Sequence, residues 1–387
     1  MKWKIIEMEM LRGTSLFSNV GVAEAYFKDI GIKIKVANEI DEKRAAFYSH
    51  LYPETHMICG DITDNEIRSK IVDCSIEHKV DFIIATPPCQ GMSEAGLRKE
   101  FDERNQLIFY AIDIIKRVNP KYVLLENVPK QLTTKIEHNG EIMLIPDYIK
   151  SELGANYNFN EEALIKARYQ GVPQLRERNI FLLVRKDIDI KWEFPNDIDE
   201  ITLEEAIGKL PTLDPYLREG IDFTLEKFPD FDKKRIKGMK VSKWHFPPTH
   251  SWRQVQWMQH TPTGKSAIYN KEYYPQKSDG TRIKAHHNNY RRQRWDMAGR
   301  TITQNNGVIS SLACVHPGRP IEGTELYSDA RVFSIYELLI VMSLPLDWDI
   351  PEWANERFIR KVIGEGIPSN MVKRIMLQLL NNIDGVK

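Results

Sequence analysis

A chain of 387 residues is too long for one ordinary hydrophobic core and suits about two domains. Its 42% hydrophobic and 28% charged residues fit a soluble globular composition, with no apolar run near the roughly 20 residues of a membrane span and no signal-peptide pattern at the amino terminus. Cys59, Cys74, Cys89 and Cys314 form no CxxC pair, which argues against a zinc site and a disulfide framework and points to a reducing compartment, the cytoplasm.

The first half alternates short apolar runs with helical patterns. Strands are expected over residues 14–17, 34–38, 57–59, 82–86 and 122–126, and helices over 23–30, 42–51, 66–78 and 107–118. Such alternation predicts an α/β fold, a doubly wound and mostly parallel sheet covered on both faces. Ligands of these sheets bind at the carboxyl ends of the strands. The polar residues found there are Ser18 and Asn19 in a strand-turn-helix start, Glu39 after the second strand, Asp61 after the third and Glu126 at the end of the fifth. Glu39 is placed to accept bonds from ribose hydroxyls, and Asp61 from an adenine amino group.

After the fourth strand runs Ala85-Thr86-Pro87-Pro88-Cys89-Gln90-Gly91. Two prolines fix φ and exclude helix, so this turn is stiff and can aim a nucleophile. A thiolate suits attack on an electron-poor ring carbon. Glu126, in Leu125-Glu126-Asn127-Val128, would face the same crevice and could hold and protonate a ring nitrogen. Further on, Gln174-Leu175-Arg176-Glu177-Arg178 precedes an apolar strand at 180–184. Period-two alternation puts Gln174, Arg176 and Arg178 on one face, where two guanidinium groups could hold a base carbonyl, a phosphate or the loop bearing Cys89.

Regularity fades over residues 190–325, read as a second, smaller and irregular domain, and helical patterns return at 335–342 and 370–381. The net charge of the chain is zero, but residues 241–300 hold 11 Lys and Arg against 3 Asp and Glu, with five of the ten histidines and four of the eight tryptophans. A basic, aromatic segment in a neutral chain is the footprint expected of a nucleic-acid surface, the alternative being a solvated basic face. Arg291, Arg292 and Arg294 are its densest cluster and the candidate DNA contacts.

Taken in order, these motifs resemble those of the DNA cytosine-5 methyltransferase family of bacterial restriction-modification systems. Residues 17–21 are similar to its first cofactor motif, Glu39 to its second and Gly60-Asp61-Ile62 to its third. Pro87-Pro88-Cys89-Gln90 resembles the catalytic loop and Glu126-Asn127-Val128 the ENV motif. Gln174–Arg178 is similar to the QxRxR motif, Arg300-Thr301-Ile302-Thr303 to the ninth motif at the small-domain boundary, and residues 364–368 to the last. Two positions depart from the pattern: Asn19 stands for the first Gly of FxGxG, and Glu365 for the Asn of the last motif.

The resemblance implies a class I, Rossmann-like methyltransferase. Its catalytic domain would span residues 1–190 and about 357–387, its target-recognition domain about 191–324, and a hinge about 325–356. It implies S-adenosyl-L-methionine as cofactor, S-adenosyl-L-homocysteine as product and no metal. Cofactor contacts are expected at Phe17, Ser18, Asn19, Gly21, Glu39, Asp61, Ile62, Pro88, Leu107 and Glu365. Double-stranded DNA is the implied substrate, with its cytosine flipped into the crevice. Cys89 would add to carbon 6, Glu126 act at nitrogen 3, Arg178 contact the base carbonyl, Arg176 brace the catalytic loop, and Gln90 and Ser93 touch DNA. A monomer is expected, associated with the bacterial nucleoid, with a separately acting restriction endonuclease as companion. The rival readings are an RNA cytosine-5 methyltransferase of the same framework, against which no Cys-Phe-Thr signature occurs, and an inactive DNA-binding relative, against which the catalytic residue types are intact.

Overall fold

The computed structural model describes residues 11–88 and 103–385. They divide into two compact units, one built from residues 1–167, 177–197 and 369–387, the other from 168–176 and 198–368.

The first unit begins with β1 (Leu11–Leu16), then β2 (Ile32–Glu39), α1 (Glu42–Leu51), β3 (His56–Cys59), α2 (Asn65–Glu77), β4 (Phe82–Ala85), α3 (Leu107–Val118) and β5 (Tyr122–Asn127). A hairpin of β6 (Lys135–His138) and β7 (Glu141–Leu144) follows, then α4 (Ile145–Leu153), β8 (Tyr157–Phe159) and β9 (Leu164–Lys166). The two-residue β10 (Gln174–Leu175) belongs to the other unit, and β11 (Glu177–Arg185) returns to the sheet. The sheet order is β3-β2-β1-β4-β5-β11-β8, with β9 also on β11. β1 to β5 pair in parallel, whereas β11 is antiparallel to each neighbour. Strand order reverses between β1 and β4, which opens a crevice at their carboxyl ends.

Local chemistry explains these elements. α1 starts at Asp41, whose carboxylate accepts the Arg44 amide at 3.0 Å, and α2 at Asp64, which accepts the Glu66 amide at 2.7 Å. α3 buries Ile108, Ala111, Ile112, Ile114 and Ile115 in one cluster with Leu16, Ile83, Val123 and Leu125 of the sheet. The helix expected over 23–30 does not form as such. The Phe27, Asp29 and Ile30 amides bond three residues back, to Glu24, Tyr26 and Phe27, and only a 3-10 turn, Lys28–Ile30, results.

In the second unit, α5 (Leu203–Ile207), α6 (Ile221–Lys227), α7 (Phe231–Val241) and α8 (Trp252–Gln259) are short, and the two-residue strands β12 (Tyr216–Leu217) and β13 (Thr249–His250) pair in parallel. Residues 260–334 contain little regular structure beyond β14 (Gly299–Arg300), paired in parallel with β10, and isolated bridges. Leu217, Val255, Trp257, Met258, Ile309, Val315 and Val332 form its core. α9 (Ile335–Val341) and α10 (Glu356–Glu365) close the unit. The last helix, α11 (Ser369–Gly385), returns to the first unit, where Ser369 Oγ donates to the Val22 carbonyl at 2.7 Å and Ile375 accepts the Trp192 indole at 3.1 Å.

Packing therefore divides the chain elsewhere than composition does. Residues 168–176 and α10, expected with the catalytic domain, belong to the second unit, and the expected hinge over 325–356 is interior to it. The cause is polar: Arg360 of α10 donates to the Phe333 carbonyl at 2.8 Å, and Gln174 to that of Val341 at 3.2 Å. No helix among the described residues is long and apolar enough to cross a membrane.

Candidate active site

The chain leaves β1 through a tight turn. Phe17, Asn19 and Gly21 have φ of 57°, 51° and 79°. Asparagine tolerates that left-handed region better than other side-chain-bearing residues, so Asn19 adopts the backbone that a glycine would. The Ser18 amide donates to the Asn38 carbonyl at 3.0 Å, and the Gly21 amide to Ser18 at 2.9 Å. Glu39, buried at the end of β2, is tied to this turn: Oε2 accepts the Asn19 amide at 2.9 Å and Oε1 the Asp41 amide at 3.0 Å. Asp61 follows β3, is exposed, and accepts the Thr63 amide at 2.9 Å. Ile62 lies in the first unit's core, and Phe17 and Leu107 pack against the same cluster. Glu365, the last residue of α10, is half-buried in the second unit.

The strand ends also hold the candidate catalytic groups. Thr86 donates its amide to the Leu16 carbonyl at 3.3 Å and its hydroxyl to that of Phe17 at 3.2 Å. Asn127 donates its amide group to the Pro87 carbonyl at 3.2 Å and accepts the Val128 amide at 2.8 Å. The Pro87-Pro88 turn is thus moored to the end of β5. Cys89, Gln90 and Ser93 lie outside the described residues; Pro88, half-buried, is the last described residue before them. Glu126 meets Arg178 across the β5–β11 pairing, with Nε and Oε1 2.6 Å apart and both side chains only about one-tenth exposed. Behind them Asn179 donates to Gln131 at 2.6 Å, with both side chains buried.

Gln174, Arg176 and Arg178 do not act as one face. Gln174 and Arg176 are buried in the second unit, where Gln174 reaches Val341 and Met342, and Arg176 donates to the carbonyls of Ile302 at 2.9 Å and Gly364 at 3.3 Å. Arg178 alone faces Glu126. These bonds of Arg176 lie within the second unit; the loop that it was expected to brace lies outside the described residues.

One candidate DNA contact is corrected. Arg292 is almost fully buried and donates to the carbonyls of Met258, His316, Asp329 and Tyr327, so its guanidinium braces the second unit's interior and cannot reach a ligand. Arg291 is half-buried and bonds Asn288 at 3.3 Å; Arg294 is exposed and ion-paired with Asp296 at 2.5 Å. Beside Arg292 lies a buried charge network that motif reading missed. Arg331 forks onto Glu337 at 2.7 and 2.9 Å and reaches Asp329 at 2.7 Å. Burial alone would raise the Glu337 carboxyl; Arg331 outweighs it and brings it to about 2. Burial lowers His316 to about 4, so that imidazole is neutral. The available sequence signal was the capping box Ser334-Ile-Tyr-Glu337, whose reciprocal bonds are both present. The mooring of the Pro87-Pro88 turn by Asn127 was also missed, although Asn127 sits inside the motif that names Glu126.

Strand order 3-2-1-4-5 with an antiparallel strand beyond defines the class I methyltransferase fold. Solved structures share it over nearly their full length. One is a prophage-encoded Escherichia coli protein provisionally described as a DNA modification methyltransferase (TM-score 0.65, 20% identity, 97% of this chain and 99% of that one). Another is the Entamoeba histolytica methyltransferase EhMeth (TM-score 0.60, 14% identity, the same coverage). The sequence itself matches the C-5 cytosine-specific DNA methylases over residues 11–381, and the chain belongs to that family as a DNA cytosine-5 methyltransferase of the restriction-modification type. It is 40% identical over 377 residues to the Type II methyltransferase M1.HgaI of Avibacterium volantium, covering 96% of this chain and 98% of that one. It is 38% identical over 202 residues to M.NgoPII of Neisseria gonorrhoeae, covering 51% and 56%.

Proposed function

We propose that the protein methylates carbon 5 of a cytosine flipped out of duplex DNA, using S-adenosyl-L-methionine and a transient bond between Cys89 and carbon 6. The observation that carries this reading is the Glu126–Arg178 pair, shielded from water beside the moored Pro87-Pro88 turn. A carboxyl group and a guanidinium in contact match the nitrogen 3 and carbonyl edge of a cytosine. Arg178 holds the carbonyl oxygen, and Glu126 carries the proton at nitrogen 3 that relieves charge when sulfur adds to the ring. The Cys89 thiolate forms the carbon–sulfur bond, the ring becomes nucleophilic at carbon 5 and takes up the methyl group there, and loss of the carbon 5 proton then expels the cysteine. Asn127 positions the turn that delivers Cys89.

The residues at the ends of β1 to β3 fit the cofactor by donor chemistry. Phe17 offers a ring for adenine, the turn through Ser18, Asn19 and Gly21 offers amides, and each Glu39 and Asp61 carboxylate oxygen has lone-pair capacity beyond its one amide bond. Ile62, Pro88 and Leu107 complete an apolar wall, and Glu365 is the proposed contact to the methionine end. Bound there, S-adenosyl-L-methionine supplies an electrophilic methyl group and leaves as S-adenosyl-L-homocysteine. Gln90 and Ser93 would contact DNA, with Arg291 and Arg294 on the second unit, the proposed recognition domain. On this reading the protein acts as a monomer in the bacterial cytoplasm, beside a restriction endonuclease of the same target.

The test is chemical. A duplex with 5-fluorocytosine at the target blocks the final proton loss, so the wild-type protein should form a stable adduct located by mass spectrometry on Cys89, and Cys89→Ala should bind DNA but neither methylate nor form it. An adduct on Cys59, Cys74 or Cys314, or turnover by Cys89→Ala, would overturn the reading.

A further inference from the structure

Arg300 is the anomaly of the second unit. Its backbone is fixed: β14 pairs with β10, and the Arg300 amide donates to Gln293 Oε1 at 2.9 Å, while Gln293 itself is buried and bonded to the Ala313 carbonyl at 2.5 Å. Its side chain is partly buried, yet the guanidinium has no hydrogen-bond, ion-pair or ring partner among the described residues. The other half-buried arginines of this unit, Arg168, Arg235 and Arg291, have theirs in Glu200, Asp232 and Asn288. Gln293 belongs to the segment that carries Arg291 and Arg294, so Arg300 is held beside two more cations. Burial and then the repulsion of Arg291 and Arg294 make its protonation harder than usual. His287, although exposed, is likewise disfavoured as a cation, by loss of hydration and then by His286, Arg291 and Arg300. Asp296 is the acid of this segment, and Arg294 already occupies it.

A partly buried guanidinium on a fixed backbone, with no partner among the described residues and cations as neighbours, is unfavourably placed in the free protein. It becomes favourable once an anion with two acceptor oxygens enters, because the planar fork matches a phosphodiester. We propose that Arg300, with Arg291 and His287, forms a seat for one phosphodiester of the DNA backbone. This rests on the reading that the second unit binds DNA, and it moves the centre of the contact from the Arg291–Arg294 run to a residue outside it. The seat carries no sequence information.

The experiment measures duplex binding against salt, on target and unrelated DNA, for wild type, Arg300→Gln and Arg218→Gln; Arg218 is an exposed arginine of the same unit and controls for lost charge. Arg300→Gln should weaken both duplexes about tenfold or more and flatten the slope of log affinity in log salt by about one unit. Its melting point should equal or exceed that of wild type, since no internal partner is lost. Arg218→Gln should leave the slope near wild type. Wild-type affinity and slope in Arg300→Gln would overturn the seat while leaving DNA binding intact. Weakening on the target alone would make Arg300 a base reader and reject the phosphate assignment. A lowered melting point would show that Arg300 serves the fold, again against the proposal. A wild-type protein that bound neither duplex would remove the DNA-binding reading itself and the seat with it.

Discussion

Glu24 shows what a residue can do that no motif announces. It is buried, Ser15 donates to one of its oxygens, and the other has no partner among the described residues. Burial lifts its carboxyl from an ordinary 4.5 to about 7. Between those values the folded protein holds a proton that the unfolded chain has released. Stability from this group is therefore full below about pH 4.5 and is lost as the pH rises through about 7, on the order of 3 kcal/mol in all. Glu24→Gln keeps the shape and removes the titration. The variant's melting temperature minus that of wild type should be larger at pH 8 than at pH 5. A difference independent of pH would mean that Glu24 is not buried in this way. Glu126 and Arg178 stood out in the sequence as candidates because they lie in short ordered motifs, and the structure brings the two into contact. The roles of Glu24 and Arg292 were not, because a charge count is blind to burial. Arg292 shares its run with Arg291 and Arg294, yet its partners Met258, His316 and Asp329 lie 34, 24 and 37 residues away.

Among the elements, the turn after β1 tolerates little change. A Cβ on Gly21 would stand 2.2 Å from the Tyr52 ring, whose hydroxyl donates to the Gly21 carbonyl at 2.7 Å, and φ is 79°. Gly21→Ala must both move Tyr52 and hold a left-handed backbone, the second costing about 1–2 kcal/mol. Thermal unfolding should show a clear loss, and calorimetry should show weaker cofactor binding. Asn19→Gly changes only the side chain on an already left-handed residue and should be near neutral in melting temperature. Equal effects from the two substitutions would contradict this account. The helices at Glu42–Leu51 and Leu107–Val118 have the bounds that capping and apolar spacing predict. The failure at 23–30 has a tertiary cause. Glu24 turns inward to Ser15 and Phe27 into the core, and the chain tightens into turns that local propensity does not encode.

At the scale of the molecule, the two units exchange chain four times, at 167/168, 176/177, 197/198 and 368/369. Composition found an irregular second domain but could not find these crossings, since they depend on hydrogen bonds such as Arg176 to Gly364, 188 residues apart. α11 buries Met371, Val372, Ile375, Met376 and Leu379 in the first unit. Each such side chain is worth about 1.5–3 kcal/mol. Removing residues 369–387 should therefore unfold the first unit, while the second, which lacks none of its own segments, survives as a protease-resistant core. Limited proteolysis read by mass spectrometry checks this; a truncated protein whose sheet remained protected would refute it.

The position of α11 also sets an order on the ribosome. The strand order of the sheet is available once β11 has emerged, but the helix that Val22 and Trp192 bind is made well after it. All of the second unit beyond its 168–176 segment is threaded out in between. Until α11 leaves the exit tunnel, the surfaces awaiting it are bare, and a stalled or nicked chain carries them exposed to chaperones and proteases. The unit that is written first is thus completed after the second, and only a chain that carries α11 can hold the groups proposed for chemistry in place.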